Sequence, residues 1–190
     1  MHLCVHPGLD HLEKLMSAPV FIIGYMACGK TTFGRALAAA LGRQFIDLDF
    51  YIEQRFRRSI RDMFAAEGEE TFRRREAAML REVGEFDDVV IACGGGTPCF
   101  HDNMDYLLGR GNVVFLEASV GRIMQRLMQN NARRPLMAGK SENEMRKAVE
   151  QGMASRMQHY SRANIKFNSD SLEDRRQISE TVAAFIATHM

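Results

Sequence analysis

Unbroken apolar runs about four residues long alternate along this chain with longer stretches in which apolar residues recur every three or four positions. Val20-Phe21-Ile22-Ile23, ended by Gly24, has the pattern of a strand buried on both faces. From Gly29 the period becomes helical, with Phe33, Ala36, Leu37, Ala40 and Leu41 on one face and Gly42 as the stop. A second strand, Phe45-Ile46-Asp47-Leu48, follows at once, with Asp47-Leu48-Asp49 as its end. Val89-Val90-Ile91-Ala92, Val113-Val114-Phe115-Leu116 and Ile165-Lys166-Phe167 are the third, fourth and fifth strands.

The helices between them carry their own start signals. Ser59-Ile60-Arg61-Asp62 has capping-box spacing and predicts a short helix ending near Gly68. A longer helix follows, with Phe72, Met79, Leu80 and Val83 on one face. Another begins near Ser119. Ser141-Glu142-Asn143-Glu144 heads a helix running to about His159, and Ser171-Leu172-Glu173-Asp174 caps a last one whose apolar face is Ile178, Val182, Phe185 and Ile186. Continuous apolar strands alternating with helices predict an α/β fold, a parallel sheet covered on both faces. The expected organisation is one domain over residues 19–190, preceded by a poorly ordered extension over residues 1–18.

Composition narrows the class. The chain has 190 residues, 46% of them apolar, with Lys+Arg 25 against Asp+Glu 24. Such a chain is too apolar and too weakly charged to be disordered, and near-neutrality gives no field suited to nonspecific nucleic-acid binding. No apolar run approaches the roughly 20 residues that span a bilayer. Eight arginines lie between Arg55 and Arg81, interleaved with acids, so most of them are expected on solvated helix faces. The cysteines Cys4, Cys28, Cys93 and Cys99 include no CxxC pair, which fits reduced thiols in a cytoplasmic protein. His2, His6 and Cys4 are read as part of a loose tail rather than a metal site.

One segment carries specific chemistry. Gly24-Tyr25-Met26-Ala27-Cys28-Gly29-Lys30-Thr31 matches G-x-x-x-x-G-K-[ST] between a buried strand and a helix. The backbone from Ala27, Cys28 and Gly29 into Lys30, Thr31 and Thr32 would face nucleotide phosphates with its N–H groups and the positive helix end. Lys30 would reach the β- and γ-phosphates, and the Thr31 hydroxyl would ligate Mg²⁺.

Other residues would complete a crevice at the carboxyl ends of the strands. Alternation along a strand would put Asp47 and Asp49 on the same side, one acid ordering the metal's water shell and the other accepting a proton from an attacking hydroxyl. Gly94-Gly95-Gly96 would let the backbone approach a ligand closely. The polar segment 129–141, with Arg133-Arg134-Pro135, suits a lid that carries a cation over the γ-phosphate. Arg156 is read either as part of the site or as surface.

Taken in order, GYMACGKTT, FIDLD, GEETFRRRE, ACGGGTP, RRPLM and SRMQHY resemble the shikimate kinases, small P-loop kinases related to the nucleoside monophosphate kinases. The similarity spans about residues 19–189. It implies a three-layer P-loop fold with a central five-stranded parallel sheet and ATP-dependent phosphorylation of the shikimate 3-hydroxyl. It further implies Mg²⁺ as cofactor, ATP and shikimate as the only partners, and a monomer. Carried over by residue, Lys30, Asp49 and Arg134 are catalytic, and Asp47 reaches Mg²⁺ through water. Arg73 and Arg156 grip the substrate carboxylate, Gly95 and Gly96 meet the ring through their backbone, and Glu76 holds Arg73. The substrate-binding region is expected at about 48–78, with Arg126 near the adenine and Arg134 as the lid arginine. The alternatives are a kinase for another small polyol acid such as gluconate, and a non-catalytic nucleotide or shikimate sensor.

The chain departs from the family at one position of the loop, which usually reads G-x-x-G-x-G-K and here has Ala27. If the position requires a positive φ, alanine carries roughly 1 kcal/mol or more of strain.

Overall fold

The computed structural model describes residues 17–129 and 141–190. Five strands form one parallel sheet: β1 (Val20–Ile23), β2 (Gln44–Asp47), β3 (Val89–Ala92), β4 (Asn112–Glu117) and β5 (Ile165–Asn168). Their order is β2-β3-β1-β4-β5. Val20 lies opposite Val90 on one side and Asn112 on the other, so β1 has a neighbour along both edges. Its four side chains are fully buried, as an unbroken apolar run in a central parallel strand requires.

Seven α-helices among the described residues connect and cover these strands: α1 (Lys30–Leu41), α2 (Leu48–Phe56), α3 (Ile60–Gly84), α4 (Asn103–Arg110), α5 (Val120–Gln129), α6 (Glu142–Tyr160) and α7 (Arg175–His189). Helix α1 packs on the sheet and against α7. Phe33 sits edge-on to Phe185 at 5.3 Å between ring centres, and Phe167 of β5 closes the same cluster. The expected apolar face of α7 is there, with Val182 and Phe185 buried. Ser141 and Glu144 form the anticipated capping box on α6.

The structure departs from local expectation at several points. Strand β2 ends at Asp47, which caps α2 by accepting the Phe50 N–H at 3.3 Å. Leu48 and Asp49 therefore belong to a helix, and strand alternation does not relate Asp49 to Asp47. The helix opened by Ser59 is interrupted at Gly68 as expected, since Gly68 takes φ 78° and ψ 169°, outside the helical region. A second, longer helical stretch follows directly and runs to Gly84, so α3 is two helices joined across a kink. The cap of α7 is Asp174, which accepts the Gln177 N–H at 2.9 Å, three residues beyond Ser171. Helices α2 and α4, which no apolar periodicity marked, are also present. Just before β1, the Asp88 N–H donates to the Ser17 carbonyl at 2.8 Å, and Arg43 donates to that of Ala18 at 3.1 Å.

Candidate active site

The loop after β1 has a wound, partly left-handed backbone. Gly24, Ala27 and Gly29 have φ of 144°, 62° and 102°. Gly29 is the N-cap of α1, so the first N–H groups of that helix follow the loop directly. Ala27 thus does occupy a conformation that costs an L-residue free energy. The Lys30 ammonium donates to the carbonyls of Gly24 and Tyr25 at 2.9 and 3.0 Å. The Thr31 hydroxyl donates to Asp47 Oδ2 at 2.8 Å, which joins the start of α1 to the end of β2. Cys28 points the other way; its side chain is fully buried, as suits a small apolar residue rather than a reactive thiol.

This loop opens on a cleft of about 420 Å³ whose lining includes Lys30, Thr31, Asp49, Gly95, Arg126 and Leu172. Asp49, in the first turn of α2, lines the cleft with much of its surface exposed, while one carboxyl oxygen lies deeper, against Gly94 of the turn after β3. Loss of solvation pushes its carboxyl up to about 6; Asp47 and Glu76 add to the rise, and Lys30 opposes it. A carboxyl so placed is tuned toward accepting a proton near neutrality.

The glycines after β3 form one wall. A side chain at Gly94 would collide with Asp49 Oδ1 at 2.8 Å, and one at Gly96 would meet the Arg73 guanidinium at 2.8 Å. Arg73, from α3, is held by Glu76 Oε2 at 2.8 Å and by Glu69 at 3.1 Å. On the other side Arg156, from α6, reaches the Gly95 carbonyl at 3.4 Å and lies over the Tyr25 ring at 5.1 Å. The two arginines, 83 positions apart in sequence, thus flank one glycine turn. Such paired planar cations suit a small carboxylate.

Arg126 reaches the cleft in an unanticipated arrangement. Its guanidinium donates to the carbonyls of Ala27, Cys28 and Ser169 at 3.3, 3.1 and 2.8 Å, and it pairs with Glu173 at 2.8 Å. It therefore ties the back of the phosphate loop to the segment before α7 as well as lining the cleft. Arg133 and Arg134 lie outside the described residues.

Sequence reasoning also passed over several positions. Ser169, fully buried, donates to the Cys28 carbonyl at 2.7 Å, and the Tyr160 hydroxyl donates to the Gly95 carbonyl at 2.5 Å. Thr97 donates to Glu76 at 2.6 Å. Only Tyr160 had a usable signal, one turn after Arg156 on the same helix face.

The strand order and the phosphate loop at the end of the central strand, with a second polar site beside it, define a P-loop kinase for a small anionic molecule. The family model of shikimate kinase matches residues 26–187. The chain is 45% identical over 163 residues to a shikimate kinase of Phocaeicola vulgatus, covering 86% of this chain and 93% of that one. Among solved structures, it superposes on the shikimate kinase from Bacteroides thetaiotaomicron with a TM-score of 0.87 at 42% identity, over 90% of this chain and 97% of that one. It superposes on the Acinetobacter baumannii shikimate kinase in complex with shikimate with a TM-score of 0.78 at 28% identity, over 92% and 94% of the two chains. The chain belongs to the shikimate kinase family.

Proposed function

We propose that this shikimate kinase transfers the γ-phosphoryl group of ATP to the 3-hydroxyl of shikimate, releasing ADP and shikimate 3-phosphate, with the cleft residues dividing the work. The reading rests on one observation above the rest: Arg73 and Arg156 converge on the glycine turn that walls the same cleft as Lys30 and Asp49. Shikimate is a small carboxylate bearing several hydroxyls, so its site needs cations for one end and an acid for the other.

The loop N–H groups and Lys30 hold the phosphates, Lys30 exchanging its contacts with the Gly24 and Tyr25 carbonyls for phosphate oxygen. The substrate hydroxyl oxygen forms a bond to the γ-phosphorus as the bond to the β,γ-bridging oxygen breaks. That electron pair leaves with ADP, and the hydroxyl proton passes to Asp49. Arg73 and Arg156 fix the substrate through its carboxylate, converting binding into alignment of the attacking oxygen.

Thr31 and Asp47 fit Mg²⁺, since both are hard oxygen donors and they meet at 2.8 Å beside the loop. Few protein oxygens are needed, because Mg²⁺ keeps waters and takes phosphate oxygens. When bound it would neutralise phosphate charge. Arg134 is assigned the same electrostatic task from the segment 130–140. The proposal includes a cytoplasmic monomer, and no described helix is long and apolar enough to cross a membrane.

Purified protein mixed with ATP and Mg²⁺ should release ADP with shikimate and not with gluconate, and phosphorus NMR should show the ester at the 3-oxygen. ADP release with gluconate alone would overturn the reading; shikimate binding without turnover would make the protein a sensor.

A further inference from the structure

The turn after β3 embraces the Arg73–Glu76 pair from two sides. We propose that Thr97 and Phe100 are positioning residues that aim Arg73 at the substrate carboxylate, Thr97 through Glu76 and Phe100 through the guanidinium face. The proposal deepens the reading of Arg73 given above and rests on it.

Glu76 is 1% exposed, and each of its carboxylate oxygens has a separate partner: Oε2 accepts from Arg73 at 2.8 Å and Oε1 accepts from Thr97 at 2.6 Å. With one oxygen bonded, the carboxylate still turns about its last torsion; with both bonded it does not. Thr97 is itself locked. Its N–H donates to Gly94, its carbonyl accepts from Asn103 at 2.9 Å, and the Asn103 amide oxygen accepts from Arg81 at 3.1 Å. Thr97 and Asn103 are both fully buried. A continuous polar chain therefore runs from α4 through the turn to α3 and ends on Arg73. Apolar residues would fill this space at lower cost in stability. Only the polar chain gives the arginine fork a fixed direction.

Phe100 acts on the other face. Its ring centre lies 4.1 Å from Arg73 Cζ, closer than the rings of Phe72 and Phe64 at 5.3 and 5.6 Å. A guanidinium stacked on an aromatic face keeps its edges for hydrogen bonding in plane. One end of the fork is held by Glu76. The remaining edge, Nε and NH2, faces the exposed Glu69 carboxylate at 3.3 and 3.1 Å, and the substrate carboxylate would take its place. Thr97 and Phe100 touch no substrate; they act through Arg73.

Steady-state kinetics on the whole protein with ATP, Mg²⁺ and shikimate test this, with Arg73→Ala as reference. Thr97→Val keeps the shape and loses the donor, and it should raise the shikimate KM on the order of tenfold while the ATP KM stays within about twofold. Thr97→Ser should restore the shikimate KM, and Phe100→Leu should raise it severalfold. Neither change should add to Arg73→Ala, because each acts through that arginine. If Arg73→Ala raises the shikimate KM but Thr97→Val and Phe100→Leu do not, the inference fails and the Arg73 assignment stands. If Arg73→Ala has no effect, the assignment fails first and takes the inference with it. Equal damage from Thr97→Val and Thr97→Ser, or matching rises in both KM values, would reduce Thr97 to a structural role. Should Thr97→Val not fold, Phe100→Leu alone and combined with Arg73→Ala decides the matter.

Discussion

Replacing Ala27 by glycine isolates the one strained residue in the phosphate loop. Ala27 has φ 62°, where an L-residue with a Cβ pays about 1–2 kcal/mol. Glycine relieves that cost but adds unfolded-chain entropy worth about 0.5–1 kcal/mol. The difference is a net stabilisation of about 0.5–1 kcal/mol, which for a domain near this size corresponds to a rise in Tm of about 1–4 °C. The loop carbonyls stay held from behind by Arg126 and Ser169, so the loop should have the same shape with and without nucleotide. The strain is then equal in both states, and ADP affinity should change by less than about twofold, since only a differential cost shifts binding. Calorimetric unfolding and ADP titration measure the two quantities separately. Ala27→Val, β-branched at the same φ, should move Tm the other way. A fall in Tm for the glycine variant, or a large gain in ADP affinity without stabilisation, would refute the argument.

Three further outcomes follow from the site. Asp49→Asn should abolish turnover and stabilise the metal-free, nucleotide-free protein at neutral pH. Folding raises the Asp49 pKa from 3.8 to about 6, so its ionised form carries a penalty that is full above about 6 and vanishes as pH falls toward 3.8; the gain in Tm should shrink over that window. Glu69→Gln should lower the shikimate KM about two- to fivefold by removing an exposed competitor from the Arg73 edge, and an unchanged KM would mean that Glu69 does not occupy that edge in solution. Arg126→Met keeps the stem but strips donors from three carbonyls and a partner from Glu173. It should cost about 2–4 kcal/mol in denaturant unfolding and raise the ATP KM more than the shikimate KM.

Much of the scaffold was legible because its signals are local. A run such as Val20–Ile23 can satisfy its apolar side chains only inside a sheet. The Ser141–Glu144 box closes within one turn of helix, so neighbouring residues alone determine it. The misread places are those where local signals compete. Two-residue spacing fits Asp47 and Asp49 to one strand, yet Asp47 caps α2 and ends the pleat. At Gly68, by contrast, the local signal holds: its φ and ψ are non-helical, and the chain kinks there between two helical stretches. Ser171 and Asp174 are equally good caps by residue type, and in the structure it is Asp174 whose carboxylate accepts the Gln177 N–H.

The sequence by itself determined the phosphate loop, since strand, glycines, lysine and helix start are contiguous and their geometry needs no distant partner. It also placed the chain among the shikimate kinases through an ordered set of motifs. Tertiary structure decided what those motifs do together. It set Arg73 and Arg156 on either side of one glycine turn and turned Arg126 toward the loop's own carbonyls. It desolvated Asp49 beside Asp47 and Glu76, and it placed Thr97 and Phe100 around Arg73. Burial and the approach of charges depend on which elements pack against each other across the sheet, and no spacing along a single segment encodes that.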